Sequence, residues 1–79
     1  MPAGAVVVDA RGMRCPLPVI ELARAARDVP AGTTVTVLVT DPAARYDVPA
    51  WARLRGHTVV SITPSGDERT LAITVCTQT

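Results

Sequence analysis

Segments rich in β-branched residues alternate along this chain with segments of helical periodicity, and this order leaves few possible folds. Valine and threonine dominate four stretches, as is typical of strands, at residues 5–10, 33–40, 58–63 and 69–76. Two stretches between them carry apolar residues at helical spacing, at about residues 16–27 and 48–55. The predicted order of elements is therefore βαβαββ.

This order favours a particular architecture. Strand–helix–strand units favour right-handed crossovers between neighbouring parallel strands, which places both helices on one face of a sheet. The turn-forming residues 64–68 join the last two strands into a hairpin. The sequence thus predicts an α+β fold, a two-layer α/β sandwich with a mixed four-stranded sheet, two helices on one face and the other face open. At 79 residues the chain is expected to be a single domain, 1–79.

Composition narrows the possible functions. No apolar run approaches the ~20 residues of a membrane span, and the N-terminus shows no export signal, so we expect a cytoplasmic protein without membrane partners. Cys15 and Cys76 are too few for a disulfide framework, and in a reducing compartment each should be a thiol. With His57 they cannot supply the four ligands of structural zinc, and we predict neither a metal nor a cofactor.

The charge balance gives no case for nucleic-acid binding. Eight basic residues, all arginine, face seven acids, for a net charge of +1. One Trp, one Tyr and no Phe also offer no stacking platform for bases. The arginines in and before the second helix, Arg45, Arg53 and Arg55, are interpreted as a solvated face, with partner docking as the alternative.

Cys15 lies where the first helix is predicted to begin. Pro16 and Pro18 occupy early helical positions, where a missing N–H costs little, and Cys15 is predicted to be the N-cap. A sulfur there faces free amides and the positive end of the helix dipole, so we expect its pKa to lie below the ~8.5 of an ordinary thiol. Gly12 permits a tight turn before it. The pattern suits an exposed nucleophile, and the alternative is a buried thiol that acts as a small hydrophobe.

Arg11 and Arg14 stand just upstream of Cys15 and are predicted to add favourable charge or to dock a partner. Cys76 lies in a strand pattern and is interpreted as structural.

The second helix and its flanks carry further assignments. Asp47 is predicted to be the N-cap of this helix. Trp51, with Leu54, is predicted to anchor it in the core, and His57 to be a strand-entry residue with its ring hydrogen-bonded.

Two sequence blocks resemble the TusA-like sulfur carriers, the family that includes SirA and YedF. The first follows the pattern Asp-x-x-Gly-x-x-Cys-Pro-x-Pro, at Asp9, Gly12, Cys15, Pro16 and Pro18. The second block follows at Asp41, Pro42, Asp47, Pro49, Trp51, Gly56 and His57. Two ordered blocks at this separation are more specific than a lone Cys-Pro.

The resemblance implies a carrier that accepts sulfane sulfur as a persulfide on Cys15. The implied donor is a cysteine desulfurase or a rhodanese-type sulfurtransferase, and the implied acceptor works in tRNA thiolation, molybdenum-cofactor assembly or sulfur oxidation. Ala52 stands where many relatives have a further cysteine, and Leu17 where the tRNA-thiolation members have an acid. Without a general acid or base identified beside Cys15, the chain is interpreted as a carrier within sulfurtransferase chemistry and not as a self-sufficient enzyme. The alternatives are a regulatory or nucleic-acid-binding module and a thiol redox protein.

Overall fold

A computed structural model describes residues 5–78, apart from the side chain of Glu68. The predicted element order is confirmed, as β1 Ala5–Ala10, α1 Leu17–Arg27, β2 Thr34–Val39, α2 Ala44–Arg55, β3 Thr58–Ser65 and β4 Asp67–Cys76. Residues 1–4 and 79, which the predicted domain 1–79 includes, lie outside the described residues. Neither helix within 5–78 has the length and apolar character needed to cross a membrane.

The four strands form one mixed sheet in the order β1-β2-β4-β3. β1 and β2 are parallel, whereas β4 is antiparallel to both of its neighbours, β2 and β3. The expectation of neighbouring parallel strands therefore holds for the first strand–helix–strand unit and is wrong for the second, because β4 folds back between β2 and β3. In this central strand Ile73 and Val75 are buried, and the partly buried Leu71 packs against the core beside them.

Alternation along the central strands builds the core. In β2, every second side chain from Val35 to Val39 is buried, and Ile73 and Val75 of β4 are buried beside them. Leu22 of α1 and Val48 of α2 cover these residues from the helix layer. The core thus lies between the sheet and both helices, as the α+β sandwich requires.

The opposite face of the sheet is open, as predicted. Val7 of β1 and Val60 of β3 are exposed there. Across the centre of this face the hydroxyls of Thr36 and Thr74 hydrogen-bond at 2.8 Å.

The second helix differs from its predicted form at its start and in its anchor. It begins at Ala44, so Asp47 lies in its first turn and the prediction of Asp47 as N-cap is wrong. The earlier start follows from Asp41, whose carboxylate accepts the Ala43 N–H at 2.9 Å and turns the chain into the helix. Leu54 is 82% exposed, so Val48 and not Leu54 anchors the helix in the core.

Trp51 is partly buried and packs against the core. Its ring lies 5.0 Å from that of His57, centroid to centroid. The Nδ1 of His57 accepts the Gln78 N–H at 2.9 Å, which confirms the prediction of a hydrogen-bonded ring.

Candidate functional site

Cys15 lies on the turn between β1 and α1, at the edge where the parallel strands β1 and β2 end. The turn depends on Gly12, whose φ of +81° is a conformation that other residues adopt with strain. The Gly12 N–H donates to Thr40 Oγ1 at 2.8 Å, which ties the turn to the end of β2. The prediction of Gly12 as a turn residue is confirmed.

A carboxylate from the second sequence block holds the backbone of Cys15. The Cys15 N–H donates to Asp41 Oδ2 at 2.9 Å, while the other oxygen, Oδ1, accepts from Ala43 at the same distance. These two backbone hydrogen bonds lower the pKa of Asp41, so it stays ionised. Asp41 therefore joins the start of α1 to the start of α2 across 26 positions of sequence.

The helix begins later than predicted, which changes the position of the thiol. α1 begins at Leu17 with Pro16 as its N-cap, so the prediction of Cys15 as N-cap is wrong. The Leu17 N–H donates to Arg14 in a turn, and the helical ladder begins with Ile20 donating to Pro16. Cys15 is thus one residue outside the cap, where the helix dipole acts more weakly.

The thiol is weakly acidic. The pKa of Cys15 is raised to about 11. Partial burial is the largest cause, followed by a hydrogen-bonding interaction with the Asp47 carboxylate, the charge of Asp47 and the charge of Asp41. The predicted pKa below ~8.5 is wrong, because two carboxylates and burial outweigh the dipole of a helix that begins beyond the thiol. With this raised pKa, Cys15 is a protonated thiol at neutral pH, and the nearby carboxylate of Asp47 disfavours loss of its proton.

Asp47 is the site residue that sequence reasoning missed. Its place in the first turn of α2 brings it beside a thiol that lies on another element. The second motif block contains both Asp41 and Asp47 and was the one signal for this contact. Without the structure, aspartates at the start of a helix are interpreted as helix caps.

The two upstream arginines have different roles. Arg11 forms a bidentate ion pair with Asp9, at 2.9 Å through Nε and 2.7 Å through Nη2. The side-chain hydrogen bond from Arg11 lowers the pKa of Asp9 to about 2. Arg14 is exposed, and its charge contributes to the lowered pKa of Asp41. Of the two arginines, Arg14 is therefore the one whose charge acts at the site.

The prolines and Leu17 shape the surface after Cys15. Pro16 is exposed, whereas Pro18 is buried in the helix layer and fixes the start of α1. Leu17, between them, is 50% exposed, so an apolar side chain lies two residues from the thiol.

Cys76 and the Cys15 turn lie at opposite ends of the strands of the sheet. Cys76 pairs with Thr34 at the start of β2, whereas Ala10, which precedes the Cys15 turn, pairs with Val39 at the end of β2. The two ends are separated by the six residues of β2, which corresponds to a length of roughly 17 Å. A disulfide needs Cα atoms within about 7 Å. The two thiols therefore cannot join in this fold.

Comparison with known proteins agrees with the two motif blocks. Residues 6–75 match the family described as Sulfurtransferase TusA. A protein of Archaeoglobus fulgidus named "Putative sulfur carrier protein" is 39% identical over 62 residues, which are 78% of this chain and 85% of the relative. A protein of Pseudomonas savastanoi pv. phaseolicola named "Sulfur carrier protein TusA" is 42% identical over 55 residues, which are 70% of this chain and 66% of the relative.

The fold has a solved counterpart as well. The crystal structure of a SirA-like protein from Desulfitobacterium hafniense superposes with a TM-score of 0.80 at 28% identity, over 94% of this chain and 99% of that one. With 70 consecutive residues, 6 through 75, matched to one family, and with Cys15 and both motif blocks inside that span, the chain belongs to the TusA family.

Proposed function

We propose that this protein is a sulfur carrier that holds sulfane sulfur as a persulfide on Cys15. The observation that carries the proposal is the presentation of this thiol: it lies on a turn fixed by Gly12, Pro16 and Pro18 and is held through its N–H by Asp41. Membership of a family whose relatives are named sulfur carriers supports the same function.

The transfer step is an exchange between sulfur atoms. The Cys15 sulfur attacks the terminal sulfur of a persulfide on the donor, the S–S bond of the donor breaks, and the donor cysteine leaves as a thiolate. A new S–S bond forms on Cys15 with no net oxidation, and the proton of Cys15 passes to the departing thiolate. Delivery to the acceptor repeats the exchange in the opposite sense.

The separation of the thiols favours a carrier over a redox protein. A thiol next to the persulfide would displace the sulfur as a disulfide formed. Cys76 lies across the sheet, so the cargo on Cys15 has no intramolecular competitor within the described residues.

The proposal extends to partners and compartment. The donor is a cysteine desulfurase or a rhodanese-type protein, and the acceptor belongs to tRNA thiolation, molybdenum-cofactor assembly or sulfur oxidation. Leu17, where the tRNA-thiolation members carry an acid, favours the latter two. A carrier with a free thiol fits a reducing compartment, for which we propose the cytoplasm.

Intact mass spectrometry after incubation with a cysteine desulfurase and cysteine tests the function. We expect the mass of one added sulfur, removed by reductant, on wild type and on Cys76→Ser but not on Cys15→Ser. Sulfur on Cys15→Ser, or none on wild type, would contradict the carrier role. Appearance of a Cys15–Cys76 disulfide on mild oxidation would favour the redox alternative instead.

A further inference from the structure

A basic groove lies beside the Cys15 turn, on the helix side of the sheet. It has a volume of about 620 Å³. Its walls come from the end of β2, the first turn of α2 and the start of β4, through Asp41, Pro42, Arg45, Tyr46, Arg69 and Leu71. Val39 and Leu71 are apolar lining residues, here called its floor, and the exposed arginines Arg45 and Arg69 are called its rim.

Arg45 and Arg69 form no ion pair with any side chain described in residues 5–78. Both side chains are exposed. The ion pairs among the described side chains are Arg11–Asp9 and Arg24–Glu21, to which neither belongs. The one acid on the groove wall, Asp41, already receives two backbone N–H groups. Among the side chains that the structure describes, neither rim arginine has an ion-pair partner, so both charges are open to an anionic partner.

The groove is continuous with the transfer site. Asp41 is part of its wall and also accepts the Cys15 N–H at 2.9 Å. Arg45 lies in the first turn of α2, where the helix dipole also favours an anion. Asp41 is thus shared between the wall of the groove and the turn that carries the thiol.

We propose that this groove docks an acidic, extended segment of the protein that delivers sulfur to Cys15. The proposal rests on the proposed carrier function. Paired guanidinium groups recognise carboxylates bidentately, and the apolar floor with the exposed Tyr46 ring accepts an aliphatic side chain between them. A nucleic acid fits less well, because the carboxylate of Asp41 repels phosphates and the chain has a net charge of only +1.

A second basic concavity supplies a matched control. It has a volume of about 430 Å³, with Arg27 and Arg55 beside Trp51 and His57. These arginines lie in the last turns of α1 and α2, where the helix dipole disfavours an anion. Reversing both charges there changes the net charge as much as reversing Arg45 and Arg69.

Titration with a blocked hexapeptide of alternating glutamate and leucine, followed by ¹H–¹⁵N NMR, tests the groove directly. We expect amide shifts at Arg45, Tyr46 and Arg69, and none with a peptide that has glutamine for glutamate. Arg45→Glu with Arg69→Glu should weaken binding about tenfold or more, from the loss of two surface ion pairs and the added repulsion. Arg27→Glu with Arg55→Glu should leave it unchanged.

A second arm asks whether the groove serves sulfur delivery. Excess glutamate peptide should slow loading of Cys15 from a cysteine desulfurase, and the glutamine peptide should not. Shifts confined to the Arg27 side, tighter binding of a single-stranded RNA oligonucleotide, or uninhibited loading despite peptide binding would each overturn the docking proposal. If the desulfurase loads no sulfur in the absence of peptide, the carrier function fails, whatever the peptide binds.

Discussion

Replacing Asp47 with asparagine should make Cys15 more reactive at neutral pH. Asparagine is nearly isosteric and removes the charge of the carboxylate that, after burial, contributes most to raising the pKa of Cys15 from 9.0 to about 11. Burial and the charge of Asp41 remain. A neighbouring charge shifts a pKa by roughly 1–3, and here burial is the largest cause, so we expect the pKa of Cys15 to fall by roughly one.

The expected change in rate follows from two opposing effects. Lowering the pKa by roughly one raises the thiolate fraction at neutral pH about tenfold. The less basic thiolate is intrinsically about threefold less nucleophilic, for a Brønsted coefficient of roughly 0.45. The Asp47→Asn variant should therefore react about threefold faster at neutral pH. Where the thiol is fully ionised in both proteins, the variant should be about threefold slower.

The assay is the reaction with 4,4′-dithiodipyridine, a neutral disulfide, in a Cys76→Ser background so that only Cys15 reacts. Ultraviolet absorbance of the thiolate gives the pKa of Cys15 independently. Asp28→Asn is the matched control, because Asp28 is an exposed acid at the other end of α1. An unchanged or slower reaction of Asp47→Asn at neutral pH, with Asp28→Asn at the wild-type rate, would refute the assignment of Asp47 to the thiol.

The remaining predictions concern the turn and the residues before Cys15. Arg14→Glu should slow sulfur loading at low salt, because an exposed charge near the site acts on the encounter rate. Arg11→Glu should slow loading less, because Arg11 is paired with Asp9. Loading of both variants at the wild-type rate would exclude the two arginines from docking. Arg11 lowers the pKa of Asp9 to about 2, so the ion pair adds stability that is present above the unfolded pKa of ~3.9 and is lost as the pH falls toward 2. Arg11→Gln should therefore reduce the loss of the urea-unfolding free energy between these pH values. The same loss as in wild type would contradict the stabilising role of the pair. Gly12→Ala should destabilise by about 1 kcal/mol through its positive φ, since an added Cβ meets no atom within 4 Å; thermal unfolding unchanged from wild type would show that the turn relaxes.

The sequence was sufficient for the elements and the layer that each strand faces. Leu71, Ile73 and Val75 alternate with smaller or polar residues, and side chains on a strand alternate between faces, so the sequence indicated that these three face the core; Ile73 and Val75 are buried and Leu71 is partly buried. The order of the strands did not follow. Whether β3 or β4 lies beside β2 depends on which pairing buries more surface across the whole sheet, and no local pattern records that choice.

At the site, the sequence located the thiol but not its surroundings. Cys15 was singled out by its prolines, which are local features. Its acidity depends on Asp41 and Asp47, which are brought beside it by the packing of α2 and not by any spacing near Cys15. A shift of the helix start from Pro16 to Leu17 was also enough to move the thiol outside the cap, and boundaries of this kind are the least certain part of any pattern.

The raised pKa gives the carrier a reactivity that depends on its partner. Because part of the increase comes from two carboxylates at the rim of the turn, a cation brought within about 6 Å of Asp47 would favour the thiolate and oppose their effect. Burial under a partner acts in the other direction, since it removes water from the thiolate. A docked protein that only covered Cys15 would therefore slow the exchange, whereas one that also placed an arginine, lysine or protonated histidine against Asp47 would accelerate it. We therefore expect faster exchange with donors and acceptors whose own transfer cysteine lies beside a positive charge, and slow reaction of the unpartnered thiol, because its raised pKa keeps it protonated at neutral pH.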